Sequence, residues 1–569
     1  MFYCIFFSSI DYYYIQYKIL KKIYILLIFD YNKRNKKLKE VYLKMSLQKK
    51  GVVLIDGVHK ADNTIDGIKK LIKEFDFTPV RLVWLGGTEK IKSPESFNDE
   101  FLKEFGVGVI MEGDPANGIS DPVAGLRKAL AERDIDIVVQ LSGSPQVNRQ
   151  IMNKYASIAV SYGAKYIAGG TIFGEKTGAV SAGKPSMGLY ATDKRVGKTA
   201  FGIYVSKLMS GLGSYGTPWE AIVMTHSRGG PPEPPLVNIH NKHSEKSIDE
   251  ITLDEIYNSR FRPEYLEALL KFKLHGASDV YEDGLILSQY IDNYEEKTGK
   301  TAPGISVIGC RRAGAGYFHE FVVSNVELGL KVSEKCPGNY ILHEGSGGEH
   351  PPTRVDATIT LVQSDVSLSL LSDFPGLDGT ECVIIAHCQP ETASLEQIDR
   401  VEEALKKRNP YLSVVRTYFE PEVMGDYEDM KKELAGKPVM YLGTAPKHVK
   451  DKILSSLEKN YGCKVISASF ELSRDDLMRR DIDSAMKADE KPDMFLIEIK
   501  ARGVEGAKYI RETYGVPCKY LNNIPVEVDK LGNRIEGNKN LDRTILEALN
   551  RGVERFNNRE NKSFPLMKF

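Results

Sequence analysis

The run Val196-Gly197-Lys198-Thr199 has the residue types and the spacing of a phosphate-binding loop. It lies between an apolar, strand-like segment that begins at Met187 and a helical pattern that begins at Ala200. Because free backbone N–H groups at the start of a helix bind phosphate, Lys198 is expected to reach the β- and γ-phosphates of ATP and Thr199 to hold Mg²⁺. The alternative is a chance Gly-Lys-Thr before a helix. The nucleotide-binding residues predicted from this loop are Asp193, Lys194, Arg195, Val196, Gly197, Lys198 and Thr199.

A single carboxylate follows the apolar run Tyr340-Ile-Leu, within the sequence His343-Glu344-Gly-Ser-Gly-Gly348. A carboxylate at the end of a parallel strand, next to flexible glycines, is where a phosphate-loop enzyme holds Mg²⁺ directly or through water. Taken alone, Glu-Gly-Ser-Gly is more often a turn. Together with the phosphate loop it makes Glu344 the second expected metal ligand beside Thr199.

Arginines occur in two glycine-containing segments, Arg228-Gly-Gly-Pro-Pro-Glu233-Pro-Pro and Gly309-Cys-Arg311-Arg312-Ala-Gly-Ala-Gly316. The planar guanidinium fork binds phosphate in a bidentate manner, so both segments are predicted to be anion-binding loops at strand ends. Glu233 would then be a metal-binding or orienting carboxylate. The alternatives are a plain proline-rich loop for the first segment and a solvated charged turn for the second.

A fifth segment places His275, Asp279 and Asp283 at intervals of four residues, which would bring them to one face of a helix. With one imidazole and no cysteine, a solvated helix face is favoured over a zinc site. His275 could still add to a phosphate pocket.

The amino-acid composition restricts the classes of partner that this chain is expected to bind. Lys plus Arg and Asp plus Glu number 77 each, so the chain has no overall basic field for nucleic acid and must capture an anion with a local cluster. The seven cysteines are scattered and contain no Cys-x-x-Cys pair, which argues against a disulfide framework and against a zinc site. A reducing, cytoplasmic location is therefore expected, with no nucleic acid and no membrane among the partners.

Short β-rich runs alternate with helix-length stretches through most of the chain, which predicts an α/β, multidomain protein. We expect a central doubly wound parallel sheet with the phosphate loop, flanked by two further α/β domains. The predicted divisions are an N-terminal α/β domain over residues 45–180, the ATP-binding catalytic domain over 181–432 and a C-terminal α/β domain over 433–569. Residues 1–44 are crowded with Phe, Tyr, Ile and Lys, and are interpreted as a poorly ordered extension, with a membrane-surface anchor as the minority alternative.

The motifs taken in order resemble those of the cyclic 2,3-diphosphoglycerate synthetase family. The similar segments are Asp193-Lys-Arg-Val-Gly-Lys-Thr, Arg-Gly-Gly-Pro-Pro-Glu-Pro, Lys-x-His-x-Ala-Ser-Asp, Gly-Cys-Arg-Arg-x-Gly, Glu-Gly-Ser-Gly, Gly443-Thr444-Ala-Pro446, Leu472-Ser-Arg474, Glu498-Ile-Lys500-Ala and Asn522-Asn523-Ile-Pro525. The phosphate loop and the Glu344 segment also resemble those of dethiobiotin synthetase. The chain departs from the pattern at Ala191, where the dethiobiotin synthetase loop has glycine, at Ala501-Arg-Gly and at Thr225-His-Ser.

The resemblance implies an archaeal, homodimeric ligase that forms an intramolecular phosphoanhydride in 2,3-bisphosphoglycerate and releases ADP and phosphate. It implies ATP and Mg²⁺ as cofactors and leaves a requirement for K⁺ open. Under this hypothesis Arg228, Arg311 and Arg312 clamp the phosphates of a small anionic substrate, and Lys194 and Arg195 steady the transferred phosphoryl group. The catalytic residues expected are Lys198, Arg228, Glu233, Arg311 and Arg312.

Three other functions stay open from the sequence. A 2-phosphoglycerate kinase and a dethiobiotin-synthetase-like ligase would use the same nucleotide loop. A non-enzymatic, nucleotide-switched protein is a different class, and the paired arginines argue against it.

Overall fold

The computed structural model describes residues 49–174, 183–213, 215–271, 280–313, 321–345, 353–445 and 449–568. Several predictions concern residues outside these ranges. They are the N-terminal extension, His275, Asp279, Gly316, Ser346–Gly348, Pro351–Pro352 and Pro446.

The first part of the chain forms a mainly parallel sheet covered by helices, here called the N-terminal unit. Its strand order is β3-β2-β1-β6-β7-β8, and only β8 is antiparallel to its neighbour. Apolar residues from both faces of this sheet are buried against the helices, as the continuous run Val52–Ile55 requires. Its elements are β1 Lys49–Ile55, α1 Ala61–Phe75, β2 Phe77–Trp84, α2 Pro94–Phe105, β3 Val109–Ile110, β4 Gly113–Asp114, β5 Ile119–Ser120, α3 Pro122–Leu130, β6 Ile137–Gln140, α4 Arg149–Ser161, β7 Lys165–Ala168 and β8 Thr171–Phe173.

The P-loop unit follows and contains the strand that leads into the phosphate loop. In its sheet the order is β11-β12-β10-β14-β9-β15-β16-β17, with every neighbouring pair from β12 to β17 parallel. Its elements are β9 Ser186–Ala191, α5 Lys198–Met209, β10 Ala221–Ser227, β11 Leu236–Asn238, α6 Leu253–Tyr257, α7 Pro263–Lys271, α8 Val280–Thr298, β12 Ser306–Ala313, β13 Val323–Ser324, α9 Val326–Lys335, β14 Tyr340–Glu344, β15 Ala357–Gln363, α10 Leu368–Asp373, β16 Cys382–Ala386, α11 Leu395–Arg408, β17 Ser413–Val423 and α12 Tyr427–Leu434.

The C-terminal unit continues the same sheet instead of forming a separate one. Its strands extend the order through β21-β20-β18-β19, and β21 pairs with β17 in antiparallel fashion from Arg416↔Val528 to Val423↔Leu521. Its elements are β18 Pro438–Leu442, α13 Lys450–Tyr461, β19 Lys464–Ser469, α14 Asp475–Lys487, β20 Met494–Glu498, α15 Gly503–Tyr514, β21 Cys518–Val528 and α16 Lys539–Glu560.

The antiparallel pair β17–β21 reverses the strand direction in the middle of this sheet. Each of the two strands has 11 residues, and β17 runs well beyond the last residue of β16 that it pairs with, Ile385. As a result, the carboxyl ends of β18 and β20 face back towards the carboxyl ends of β9 and β16, and residues from all four ends line one cleft. Ligands of open α/β sheets bind at carboxyl ends, and here two such edges face each other.

Buried ion pairs join the units. Arg127 of α3 contacts Asp378 at 2.5 Å, and the almost fully buried Arg133 donates to Thr358 Oγ1 at 3.1 Å. The last helix, α16, packs across β9, β15, β16 and β17, and its Arg555 and Arg559 pair with Glu381 and Asp356. The end of the chain therefore belongs to the core of the P-loop unit.

The α/β prediction is confirmed, and the apolar runs at Met187 and Tyr340 are strands β9 and β14. Several strands were not predicted, among them the long strands β15 and β17, and the proposed boundary at residue 432 falls inside α12. Among the described residues, no helix is both long and apolar enough to cross a membrane.

Candidate active site

The phosphate loop is shaped by Gly197, the residue that caps α5. Its φ is 102°, in the left-handed region, and a Cβ built there would lie 2.1 Å from Phe419 Cζ of β17. Only glycine meets both conditions without strain. Val196 is fully buried in the main core, so the loop packs against the core through Val196 and against β17 through the contact of Gly197 with Phe419. The first N–H groups of α5 have no helical acceptors and are available to an anion.

Lys198 is the first residue of α5, and its Nζ donates to the carbonyl of Asp193 at 2.7 Å. The pKa of this ammonium group is lowered to about 8, mainly by desolvation and in smaller part by the nearby cations Lys500 and Arg228, while Glu344 and Asp193 oppose the shift. Three cations and two carboxylates therefore interact electrostatically at the loop. Such a concentration of positive charge calls for an anionic ligand.

Glu344 ends β14 and is buried against the first turns of α5. Its Oε2 lies 2.7 Å from the position that a Cβ on Gly202 would occupy, so a larger residue at 202 would displace the carboxylate. Thr199 is the second residue of α5 and lines the cleft. A carboxylate and a hydroxyl are hard oxygen ligands that suit Mg²⁺, which usually keeps several waters and also binds nucleotide phosphates. Among the described residues no group of three or more His, Cys, Asp or Glu could hold a metal ion.

The segment that follows β10 carries Arg228 and Glu233, and both residues are exposed. Arg228 is close enough to affect the pKa of Lys198. The segment is anchored from β12, because Arg311 NH1 donates to the Gly230 carbonyl at 3.1 Å. Asn325 Nδ2 holds the same segment through the carbonyl of Pro232 at 2.9 Å.

Arg311 and Arg312 do not lie in a loop, and this part of the prediction is wrong. Both belong to β12, where Arg311 pairs with Ser227 and Arg312 with Ser324. Successive residues of a strand point to opposite faces, so the two guanidinium groups cannot converge. The glycines had suggested a loop, but Gly309 is an ordinary strand residue paired with Thr225.

The register assigns a face to each arginine. Thr225 pairs with both Gly309 and Glu344, so Arg311, two residues beyond Gly309, shares the face of Glu344. This is the face on which α5 packs. Arg311 Nε is enclosed and finds no acceptor within the described part of the chain.

Arg312 lies on the opposite face, with a buried pair of histidines. His226 Nε2 and His343 Nδ1 are 3.2 Å apart. Burial lowers the pKa of His343 to about 4 and lowers that of His226 well below its usual value, to which the charge of Arg312 contributes. Both imidazoles are therefore neutral. The Arg312 guanidinium packs 4.8 Å from the centre of the Phe321 ring.

The cleft on the other flank of the phosphate loop has a volume of about 310 Å³. The C-terminal unit contributes Thr444, Glu498, Lys500 and Asn523 to its walls. Glu498 organises this side, because it accepts hydrogen bonds from Thr444 N at 2.7 Å, Thr444 Oγ1 at 2.8 Å and Asn523 Nδ2 at 2.8 Å. Lys500, two residues after Glu498, lines the same cleft and interacts electrostatically with Lys198 of the phosphate loop.

Sequence reasoning gave no role to Lys500, to Glu498 or to the segment after β16, where His387 and Gln389 line the cleft. Glu498 is the last residue of β20, and Lys500, His387 and Gln389 follow strand ends, which is the signal that could have identified them. His387 Nε2 lies 3.2 Å from the carbonyl of Arg195, so this segment also supports the phosphate loop.

Three domains of one family match successive parts of the chain. The N-terminal domain of cyclic 2,3-diphosphoglycerate synthetase matches residues 50–173, the P-loop domain matches 186–418 and the C-terminal domain matches 431–524. The residues of the phosphate loop and Glu344 fall in the second match, and Glu498 and Lys500 fall in the third. A solved structure of a DUF1611 family protein from Anabaena variabilis matches 74% of this chain and 94% of its own at 8% identity, with a TM-score of 0.15.

Relatives named cyclic 2,3-diphosphoglycerate synthetase match over nearly their whole length. The protein of Methanothermus fervidus is 30% identical over 90% of this chain and 100% of its own. The proteins of Methanothermobacter thermautotrophicus and Thermococcus sibiricus are each 28% identical, over 90% and 87% of this chain and over 98% and 97% of their own. The chain therefore belongs to the cyclic 2,3-diphosphoglycerate synthetase family.

Proposed function

We propose that this chain uses ATP to close a phosphoanhydride within 2,3-bisphosphoglycerate, giving cyclic 2,3-diphosphoglycerate, ADP and phosphate. The observation that carries the proposal is that Arg228, Lys500 and Glu344 all interact electrostatically with Lys198 at the nucleotide loop. The loop would bind the phosphates of ATP, and the additional cations would suit a second ligand that carries several negative charges.

The substrate phosphates must be brought together although they repel each other. Arg228 and Arg311 are the residues we assign to this clamp, because Arg228 lies beside Lys198 and Arg311 shares the face of Glu344. The same arginine positions the Arg228 segment, because its NH1 donates to the Gly230 carbonyl. Arg312 lies on the face of the sheet opposite Glu344, so we assign it a structural role in stabilising the pairing of β12 with β13.

The reaction divides into two displacements. An oxygen of one substrate phosphate attacks the γ-phosphorus of ATP, the bond to the β-phosphate oxygen breaks and ADP leaves. An oxygen of the other substrate phosphate then attacks the first substrate phosphorus, and inorganic phosphate leaves as the ring closes. Phosphate oxygens are already ionised near neutral pH, so no strong general base is required.

Thr199 and Glu344 are the residues that would hold Mg²⁺, whose chemistry is to neutralise charge on the β- and γ-phosphates. Lys198 would pair with the same oxygens, and Lys194 and Arg195 would steady the transferred group. Glu233 is proposed as an orienting carboxylate at the exposed end of the Arg228 segment. A homodimer and a K⁺ requirement are further expectations, tested by light scattering and by exchange of K⁺ for Na⁺ in the assay.

Phosphorus NMR of the products tests the proposal. With Mg-ATP and 2,3-bisphosphoglycerate, we expect a pyrophosphate-type signal from a three-carbon product, together with ADP and phosphate. Arg311→Ala should abolish cyclisation more than nucleotide binding, and Arg400→Ala, on the exposed face of α11, is the matched control. Turnover of 2-phosphoglycerate to a monoester would favour a kinase. ATP turnover that requires no phosphoglycerate would favour a nucleotide switch.

A further inference from the structure

The segment Arg228–Pro235 has few groups with which to fix its own conformation. Four of its eight residues are prolines, at positions 231, 232, 234 and 235, and proline has no backbone N–H. The segment forms neither helix nor strand, and Pro231, Pro232 and Glu233 are exposed. Donors from other parts of the chain must therefore hold its carbonyl groups if the segment is to keep one conformation.

Asn325 supplies such donors and joins the segment to β12. Its Nδ2 donates to the carbonyls of Pro231 at 3.3 Å and Pro232 at 2.9 Å. Its Oδ1 accepts from Arg311 N at 2.7 Å, and the residue is only 6% exposed. One amide group thus uses its nitrogen and its oxygen to connect two parts of the chain. Together with Arg311 NH1, it holds the part of the segment next to Arg228.

The place of Asn325 in the chain would favour a different use of its side chain. It is the residue that precedes α9, and an asparagine at this position usually accepts a hydrogen bond from the backbone of the first helical turn. Asn325 makes no such hydrogen bond, and Ser324 Oγ accepts from Val326 N at 3.2 Å instead. The amide is committed to the Arg228 segment, so capping of α9 does not explain it.

We propose that Asn325 is a positioning residue that keeps the Arg228 guanidinium beside Lys198. A guanidinium that is held in place before an anion arrives loses less conformational freedom on binding, which strengthens the binding. The role of Arg228 in binding a substrate phosphate rests on the proposed function. The fixing of the segment rests on the hydrogen bonds of Asn325 alone.

Limited digestion of the full chain with trypsin tests the fixing of the segment without any substrate. Trypsin cleaves after Arg228, and cleavage requires this segment to leave its folded conformation. Asn325→Ser removes the amide but keeps a neutral side chain that precedes helices as favourably as asparagine does. Cleavage after Arg228, followed by mass spectrometry, should be about tenfold faster in this variant, with an unchanged melting temperature.

Asn148→Ser is the matched control for the digestion. Asn148 precedes α4 in the N-terminal unit, and its Oδ1 accepts from Ile151 N at 2.9 Å. The same chemical change is thus made where asparagine does cap its helix, and cleavage after Arg228 should keep the wild-type rate. An unchanged rate of cleavage in Asn325→Ser would overturn the inference.

Steady-state kinetics test what the positioning does in the proposed reaction. Asn325→Ser should raise the KM for 2,3-bisphosphoglycerate about tenfold and leave the KM for ATP within about twofold of wild type. Equal increases in both KM values with a lower melting temperature, or faster cleavage with neither KM changed, would refute a positioning role. If the wild type formed no cyclic product, the proposed function would fail, whereas the digestion would still decide whether Asn325 fixes the segment.

Discussion

The ammonium group of Lys198 should make nucleotide binding depend on pH in the range above neutrality. Burial lowers its pKa to about 8 in the nucleotide-free protein. Phosphate binds the protonated form, so the bound state has a higher pKa and binding takes up a proton. Affinity is therefore fully present below pH 8 and is lost as the pH rises through that value.

The size of the effect follows from the protonated fraction. With a pKa of about 8, roughly three quarters of the Lys198 side chains are charged at pH 7.5 and about 3% at pH 9.5. If only the charged form binds, the affinity for ADP falls about 25-fold over these two pH units. The phosphates of the nucleotide do not contribute, because they are ionised throughout this range.

Calorimetry from pH 7.5 to 9.5, in buffers of different ionisation enthalpy, measures both the affinity and the proton uptake. Lys198→Arg should make the affinity independent of pH, since guanidinium stays charged. Lys194→Arg makes the same chemical change at an exposed position of the loop and should retain the wild-type slope. An affinity that varies less than threefold in the wild type would refute the reasoning.

Three other substitutions test the site. Gly197→Ala should destabilise the protein by at least about 1–2 kcal/mol from its backbone conformation alone, measured by urea unfolding, and Phe419→Ala should not fully rescue it because the φ of 102° remains. Lys500→Met should lower kcat/KM for ATP by about 10- to 100-fold with an unchanged melting temperature, and an unchanged kcat/KM would remove Lys500 from the site. Arg312→Ala should lower the melting temperature while the KM for the phosphoglycerate stays within twofold of wild type; a large rise in KM would contradict the face assigned to it.

Local sequence was sufficient to predict the nucleotide loop. The order of strand, loop and helix around Gly197 and Lys198 is encoded within about 25 residues, and the same applies to Glu344 at the end of β14. The alternation of strands and helices gave the fold class for the same reason. These features depend on periodicity and on helix-terminus chemistry, which a single sequence displays.

Tertiary arrangement explains what was missed. The adjacency of Arg311 and Arg312 in sequence suggested one anion site, but adjacency within a strand separates side chains onto two faces. Strand β17 contains Pro421 and several polar residues, a composition that does not favour a buried strand. The strand end at Glu498 marks Lys500 as a candidate ligand-binding residue, but the approach of Lys500 to Lys198 depends on the reversal at β17–β21, which the local sequence does not indicate.

The pairing of β17 with β21 has a consequence for dissecting the chain. A protein ending after α12 would retain the whole nucleotide loop, yet the edge of β17 from Arg416 to Val423 would lose its partner strand and become a template for aggregation. It would also lack α16, which covers four strands of the P-loop unit. A fragment that carries only the phosphate-binding motif is therefore not expected to fold into a stable enzyme. The last 130 or so residues complete the sheet on which the phosphate loop is built.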